Sequence, residues 1–184
     1  MNEENEIIDI TPNDKQDVKD VIMGENKNPI SIIIAPHADD EVIGCFEILE
    51  SGKPIIILYT DDIDHERKKE CLELRKAYEN IKAQLFLRTI PQNFLDTKNT
   101  YYFPCPSDTH PLHREQSFIG EQLARNGFDV IFYSTEMNVD YKYECRNPVR
   151  KKEIMDGYYS RQSDLWKYDH KYFLFSGYMK YVFP

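Results

Sequence analysis

His37, Asp39, Asp40 and Glu41 crowd one imidazole and three carboxylates into a five-residue stretch, and Asp108, His110 and His113 form a second cluster later in the chain. Imidazole nitrogens and carboxylate oxygens are the ligand types of zinc and of non-haem Fe(II). His37, Asp40 and His113 together would supply two imidazoles and one carboxylate, which leaves coordination positions open. Structural zinc sites close with four protein ligands, whereas catalytic ones keep three and a water, so this count favours catalysis. Each cluster alone has a plainer reading: acids at a helix N-terminus, where the macrodipole favours them, or ordinary loop histidines. Their joint occurrence on one predicted edge outweighs those readings.

The elements that must position these residues follow from the hydrophobic pattern. The apolar run Ser31–Pro36 predicts a buried strand, and Val42, Cys45, Phe46 and Leu49 recur at helical spacing, so the first cluster sits on a strand-to-helix turn. Pro54–Tyr59 predicts a second strand, followed by a helix over Asp64–Ile81 whose Cys71, Leu74, Tyr78 and Ile81 share a face. Gln84–Leu87 reads as a third strand and Arg88–Thr109 as a long connection. A helix follows over His113–Asn126, with Gly127 as its stop, and then a fourth strand at Asp129–Ser134. The remainder predicts a helix near Lys151–Gln162 and aromatic strands around Tyr172–Phe183. Strands alternating with helices give an α/β fold: a mostly parallel sheet, right-handed crossovers, helices on both faces and chemistry along one edge.

The length of 184 residues suits one domain. Residues 1–29, rich in Asp, Glu, Asn and Lys, read as an acidic N-terminal arm with a short strand at Glu6–Ile10, and residues 30–184 as a single catalytic domain. A net charge of −9 and a pI near 5.1 argue against nucleic acid and against anionic membranes as partners. Arg146, Arg150, Lys151 and Lys152, the one cationic cluster, read as a solvated helix entrance. Cys45, Cys71, Cys105 and Cys145 are too scattered for a zinc ribbon or a disulfide framework. No apolar run approaches the ~20 residues that span a bilayer, and a cytoplasmic location is expected. Neither type of Gly-rich phosphate loop is present. Many of the tyrosines lie beyond residue 140, which suggests a C-terminal segment that packs by amphipathic rings.

Pro36-His37-Ala38-Asp39-Asp40-Glu41-Val42-Ile43-Gly44, followed about seventy residues later by Asp108-Thr109-His110-Pro111-Leu112-His113, resembles the motif pair of the PIG-L/LmbE family of zinc-dependent de-N-acetylases. Ala38 stands where that family's H-P-D-D-E has Pro, and Leu112 where its H-P-D-H has Asp. Arg67-Lys68-Lys69-Glu70 resembles its R-x-x-E, and Tyr159-Ser160-Arg161-Gln162 a late Y-x-S-Q-like stretch. The resemblance implies a Rossmann-like three-layer sandwich. It implies His37, Asp40 and His113 as ligands of Zn2+, with Fe2+ as the alternative, Asp39 as general base, and His110 as the acid or oxyanion partner. Glu41 and Asp108 would then orient these groups. Arg67 and Asp96 are candidate substrate contacts, set against a helix-face charge and a turn residue. The implied reaction removes an N-acetyl group from a small amino-sugar-containing substrate. A metal-dependent phosphoesterase and a catalytically weakened binding homologue are the alternatives. The lack of an Arg/Lys phosphate cradle weighs against the first, and intact Asp39 and His110 against the second.

Overall fold

A computed structural model describes residues 28–61, 64–88, 90, 92, 95–136 and 142–180; the side chains of 142, 143 and 176–180 are not described. The N-terminal arm, apart from its last two residues, and the strand expected at Glu6–Ile10 lie outside them, as do residues 181–184.

Seven strands form one sheet in the order β3-β2-β1-β4-β5-β7-β6. In chain order these are β1 (Ser31–Ala35), β2 (Ile55–Tyr59), β3 (Ile81–Phe86), β4 (Thr100–Pro104), β5 (Asp129–Ser134), β6 (Lys142–Glu144) and β7 (Phe175–Lys180). The first five are parallel, and β7 joins β5 and β6 antiparallel. The helices are α1 (Asp40–Leu49), α2 (His65–Glu73), α3 (Pro111–Arg125), α4 (Pro148–Tyr158), α5 (Ser163–Trp166) and α6 (Lys171–Leu174). The result is a Rossmann-like three-layer α/β sandwich.

Successive strand residues point to opposite faces, and both faces are covered, which explains the unbroken apolar runs. Ile33, Ala35, Ile57, Tyr59 and Tyr133 pack with α1 and α4 residues Val42, Phe46, Ile154 and Met155. Ile32, Ile34, Ile56, Leu58, Phe103 and Phe132 face the other way, against Ile119 and Leu123 of α3. One glycine lets each main helix approach the sheet closely. A Cβ at Gly44 of α1 would come within 2.2 Å of the Tyr133 ring, and one at Gly120 of α3 within 2.7 Å of Phe103.

Four expectations need correction. The connection Arg88–Thr109 contains β4, which pairs with β1 and β5 in the middle of the sheet. Its prolines mask a Thr-Tyr-Tyr-Phe core well suited to a buried strand. The helix expected over Asp64–Ile81 ends at Glu73 in a 3-10 turn, Leu74–Lys76, and Ile81 opens β3 instead. There Asn80 donates to the carbonyls of Leu49 and Lys53, which anchors the approach to β3. The helix expected over Lys151–Gln162 begins earlier, with Pro148 in its first turn and Asn147 capping the Arg150 N–H, and gives way to a 3-10 turn at Ser160–Gln162. Lys151 is not part of a solvated cluster: it is fully buried, and its Nζ donates to the carbonyls of Ile43 and Phe175 at 2.6 and 2.8 Å, tying α4 to α1 and β7. Burial pushes its pKa down to about 7.

Candidate metal centre

In this sheet the strand order reverses between the parallel neighbours β1 and β4, and the crevice at the carboxyl ends of such a pair is where ligands bind. The two clusters follow β1 and β4 and meet there. The β1 to α1 turn is anchored by Thr60 and Asp61, whose N–H groups donate to the carbonyls of Ala35 and Pro36. Asp40 Oδ2 accepts from the His37 N–H at 2.7 Å, folding the turn on itself. Asp39 adopts φ 110° and ψ −26°, the only positive φ of a non-glycine among the described residues. Backbone strain of this kind concentrates at functional sites. Asp39 is 3% exposed, and its Oδ2 is buried with no hydrogen-bond partner.

The β4 to α3 turn is held differently. Asp108 Oδ1 accepts from the His110 N–H at 3.0 Å, and Asp108 Oδ2 lies 2.7 Å from His113 Nδ1. Thr135 and Glu136, just beyond β5, close the turn: Thr135 Oγ1 donates to Asp108 Oδ2, and Glu136 Oε1 accepts from the N–H and hydroxyl of Thr109. Pro111 starts α3, where its missing N–H costs nothing.

Three donor atoms converge between the turns. His37 Nδ1 is 2.9 Å from His113 Nε2, and Asp40 Oδ2 is 3.3 Å from the former and 3.2 Å from the latter. Ligands at about 2.0–2.1 Å from a tetrahedral zinc stand about 3.3 Å apart, so this triangle has the size of a metal's ligand set. The two facing imidazole nitrogens need a proton or a cation between them. Burial disfavours the proton on His113, but Asp40 and Asp108 outweigh it and push the pKa up to about 10. Burial of Asp40 is likewise outweighed by His113 and His37, which hold its carboxyl well below the usual range. Each histidine turns its other nitrogen toward a carboxylate: His113 toward Asp108, and His37 Nε2 toward Asp61 at 4.0 Å. Such outer carboxylates orient ligating imidazoles.

His110 is exposed; its ring lies edge-on to His37 with centroids 4.5 Å apart, and 5.1 Å from His113. The ligating atoms of His37, His110 and His113 fall within 4.8 Å of one another, a cluster that could hold a metal ion. Burial, then repulsion from His37 and His113, lowers the His110 pKa. Burial raises the Asp39 carboxyl well above the usual carboxylate range, reinforced by the charges of Asp40 and Glu41 and opposed by Arg67. Burial also lifts Glu41 to about 7, while its Oε1 accepts a hydrogen bond from Tyr159.

The structure thus brings His37, Asp39, Asp40, Glu41, Asp108, His110 and His113 to one edge. Arg67 joins them from α2, its Nη2 donating to the Ala38 carbonyl at 3.2 Å. Asp96 does not join them. It belongs to the turn at the amino end of β4, where its Oδ1 accepts from the Lys98 N–H, at the far edge of the sheet. Sequence reading misses Asp61, Thr135 and Glu136, although their positions just after β2 and β5 put them on the same carboxyl edge. No helix among the described residues is long and apolar enough to cross a membrane. The donor set fits zinc and ferrous iron alike. The chain matches no family model, no curated protein and no solved structure.

Proposed function

We propose that this protein is a metal-dependent hydrolase of the PIG-L/LmbE kind, which removes an N-acetyl group from a small amino-sugar-containing substrate and releases acetate and a free amine. The observation that carries the reading is the triangle of His37 Nδ1, Asp40 Oδ2 and His113 Nε2, at 2.9–3.3 Å, beside the partnerless buried Asp39 carboxylate oxygen. A Zn2+ or Fe2+ ion held by those three residues would supply Lewis acidity, polarising an amide carbonyl and making a water nucleophilic near neutral pH.

The chain's own groups divide the remaining work. Asp39 lies within the ligand loop without sharing in the triangle, and its free oxygen can take the proton of an attacking water. His110, exposed and beside His37, can donate a proton to the departing nitrogen. Asp108 and Asp61 orient His113 and His37. An acidic chain favours a small neutral or cationic substrate over nucleic acid or an anionic membrane.

The reading is tested with a panel of N-acetylglucosamine derivatives, following amine release and acetate in parallel while zinc or iron is titrated in. Release that rises with metal and falls strongly in His110→Ala is expected. Phosphate release from simple phosphoesters, with no amine from any acetamide, overturns the reading.

A further inference from the structure

The peptide joining Ala38 to Asp39 carries both of its polar groups in well-defined bonds. Its carbonyl, on Ala38, accepts from Arg67 Nη2 at 3.2 Å; its N–H, on Asp39, donates to Glu41 Oε2 at 3.3 Å. Both holders are themselves held from one short segment after α4. The Tyr159 hydroxyl donates to Glu41 Oε1. The Gln162 amide, oriented with its oxygen toward Arg67, accepts from Nε at 2.8 Å and Nη2 at 2.9 Å, while its nitrogen donates to the Tyr159 carbonyl at 3.1 Å. Ala38, Glu41 and Tyr159 are all fully buried.

This arrangement opposes a specific relaxation. Turning the 38–39 peptide over would carry φ of Asp39 from 110° to about −70°, which with ψ −26° is ordinary helical backbone. Asp39 would then simply extend α1 by one residue. The turned peptide, however, would aim its carbonyl at the Glu41 carboxylate and its N–H at the Arg67 guanidinium, two repulsive contacts in place of two bonds. We propose that Tyr159 and Gln162 are positioning residues that act through Glu41 and Arg67 to lock the 38–39 peptide, and with it the direction of the Asp39 carboxylate. The proposal rests on Asp39 being the group that acts at this site, but not on which bond the site breaks. It also gives the late Tyr159–Gln162 stretch a task that contact with substrate would not explain.

Amide hydrogen exchange, resolved at Asp39 by NMR on the full chain without metal or substrate, tests the brace. Tyr159→Phe removes only the hydroxyl, Gln162→Met removes the acceptor for Arg67, and Gln162→Glu retains one. Exchange at Asp39 is expected to accelerate about tenfold in Tyr159→Phe and in Gln162→Met. It should stay at the wild-type rate in Gln162→Glu, with the Phe132 amide of β5 unmoved throughout. Unchanged exchange at Asp39 in both disruptive variants overturns the proposal, and so does equal acceleration at Phe132, which marks general loosening. If Tyr159→Phe fails to fold, Gln162→Met with its Gln162→Glu control decides. Phosphate release from simple phosphoesters, with no amine from any acetamide, removes the deacetylase reading and leaves the brace intact, so the two fail separately.

Discussion

The two strand-to-helix turns that build the site have similar composition and opposite electrostatics. In the β4 to α3 turn every carboxylate is matched: Asp108 meets His113 and the His110 N–H, and Glu136 meets Thr109. In the β1 to α1 turn the carboxyls are less well compensated: burial raises both Asp39 and Glu41, which disfavours their charged forms, and one Asp39 oxygen has no partner. The second turn is a stable frame that presents imidazoles. The first holds unbalanced carboxylates in a strained backbone that surrounding residues must maintain. A cation bound between the turns would relieve the imbalance of the first without disturbing the second.

The sharpest way to break this contrast is to alter the unmatched carboxylate itself. Asp39→Asn keeps the volume and removes the proposed base, so kcat for amine release should fall by roughly 10²–10⁴-fold while the metal stays bound. Loss of metal as complete as in Asp40→Ala would mean that the two adjacent carboxylates have exchanged roles.

A smaller effect separates the helices that carry the turns. Gly44→Ala drives a methyl into Tyr133, whose hydroxyl is tied to the Ile34 carbonyl at 2.6 Å and cannot easily yield. It should cost about 1–3 kcal/mol by denaturant unfolding and weaken metal retention. Gly120→Ala meets Phe103, which is less crowded at 2.7 Å, and should cost less. Equal costs would remove the idea that α1 is the more tightly constrained helix.

The mildest expected effect concerns Lys151 behind the first turn. Its pKa is lowered from 10.5 to about 7 by burial, so the unfolded chain binds the proton more readily between those values. The stability this group contributes is therefore full above about pH 10.5 and is lost as pH falls through about 7. Melting temperature should rise between about pH 7 and about pH 9 on this account. Lys151→Met, which also loses both carbonyl bonds, should melt lower throughout but without that slope.

The parts of this molecule legible in its sequence are those written locally. Strands β1, β2 and β5 announce themselves as apolar runs, and both clusters stand out because the residue types and their placement before helices carry the chemistry on their own. β4 is hidden because flanking prolines and turn residues look like a loop until neighbouring strands supply its hydrogen bonds. Lys151 looks solvated because burial of a lysine depends on two carbonyls, one more than a hundred residues away, that no local pattern reveals. Asp61, Thr135 and Glu136 escape notice for the same reason, since their partners lie on other strands' turns. Asp96 looks like a site residue because of its long loop, whereas the registry of β4 with β1 sends that turn to the opposite edge.

The central claim, that the two turns together hold one divalent ion, is tested most directly by elemental analysis of chain purified without chelator and of the same chain after titration with zinc or iron. About one ion per chain is expected in the wild type and in Asp39→Asn, and most of it should be lost in His113→Ala and Asp40→Ala. A folded wild type that takes up neither metal, or a His113→Ala variant that retains it in full, would contradict the account.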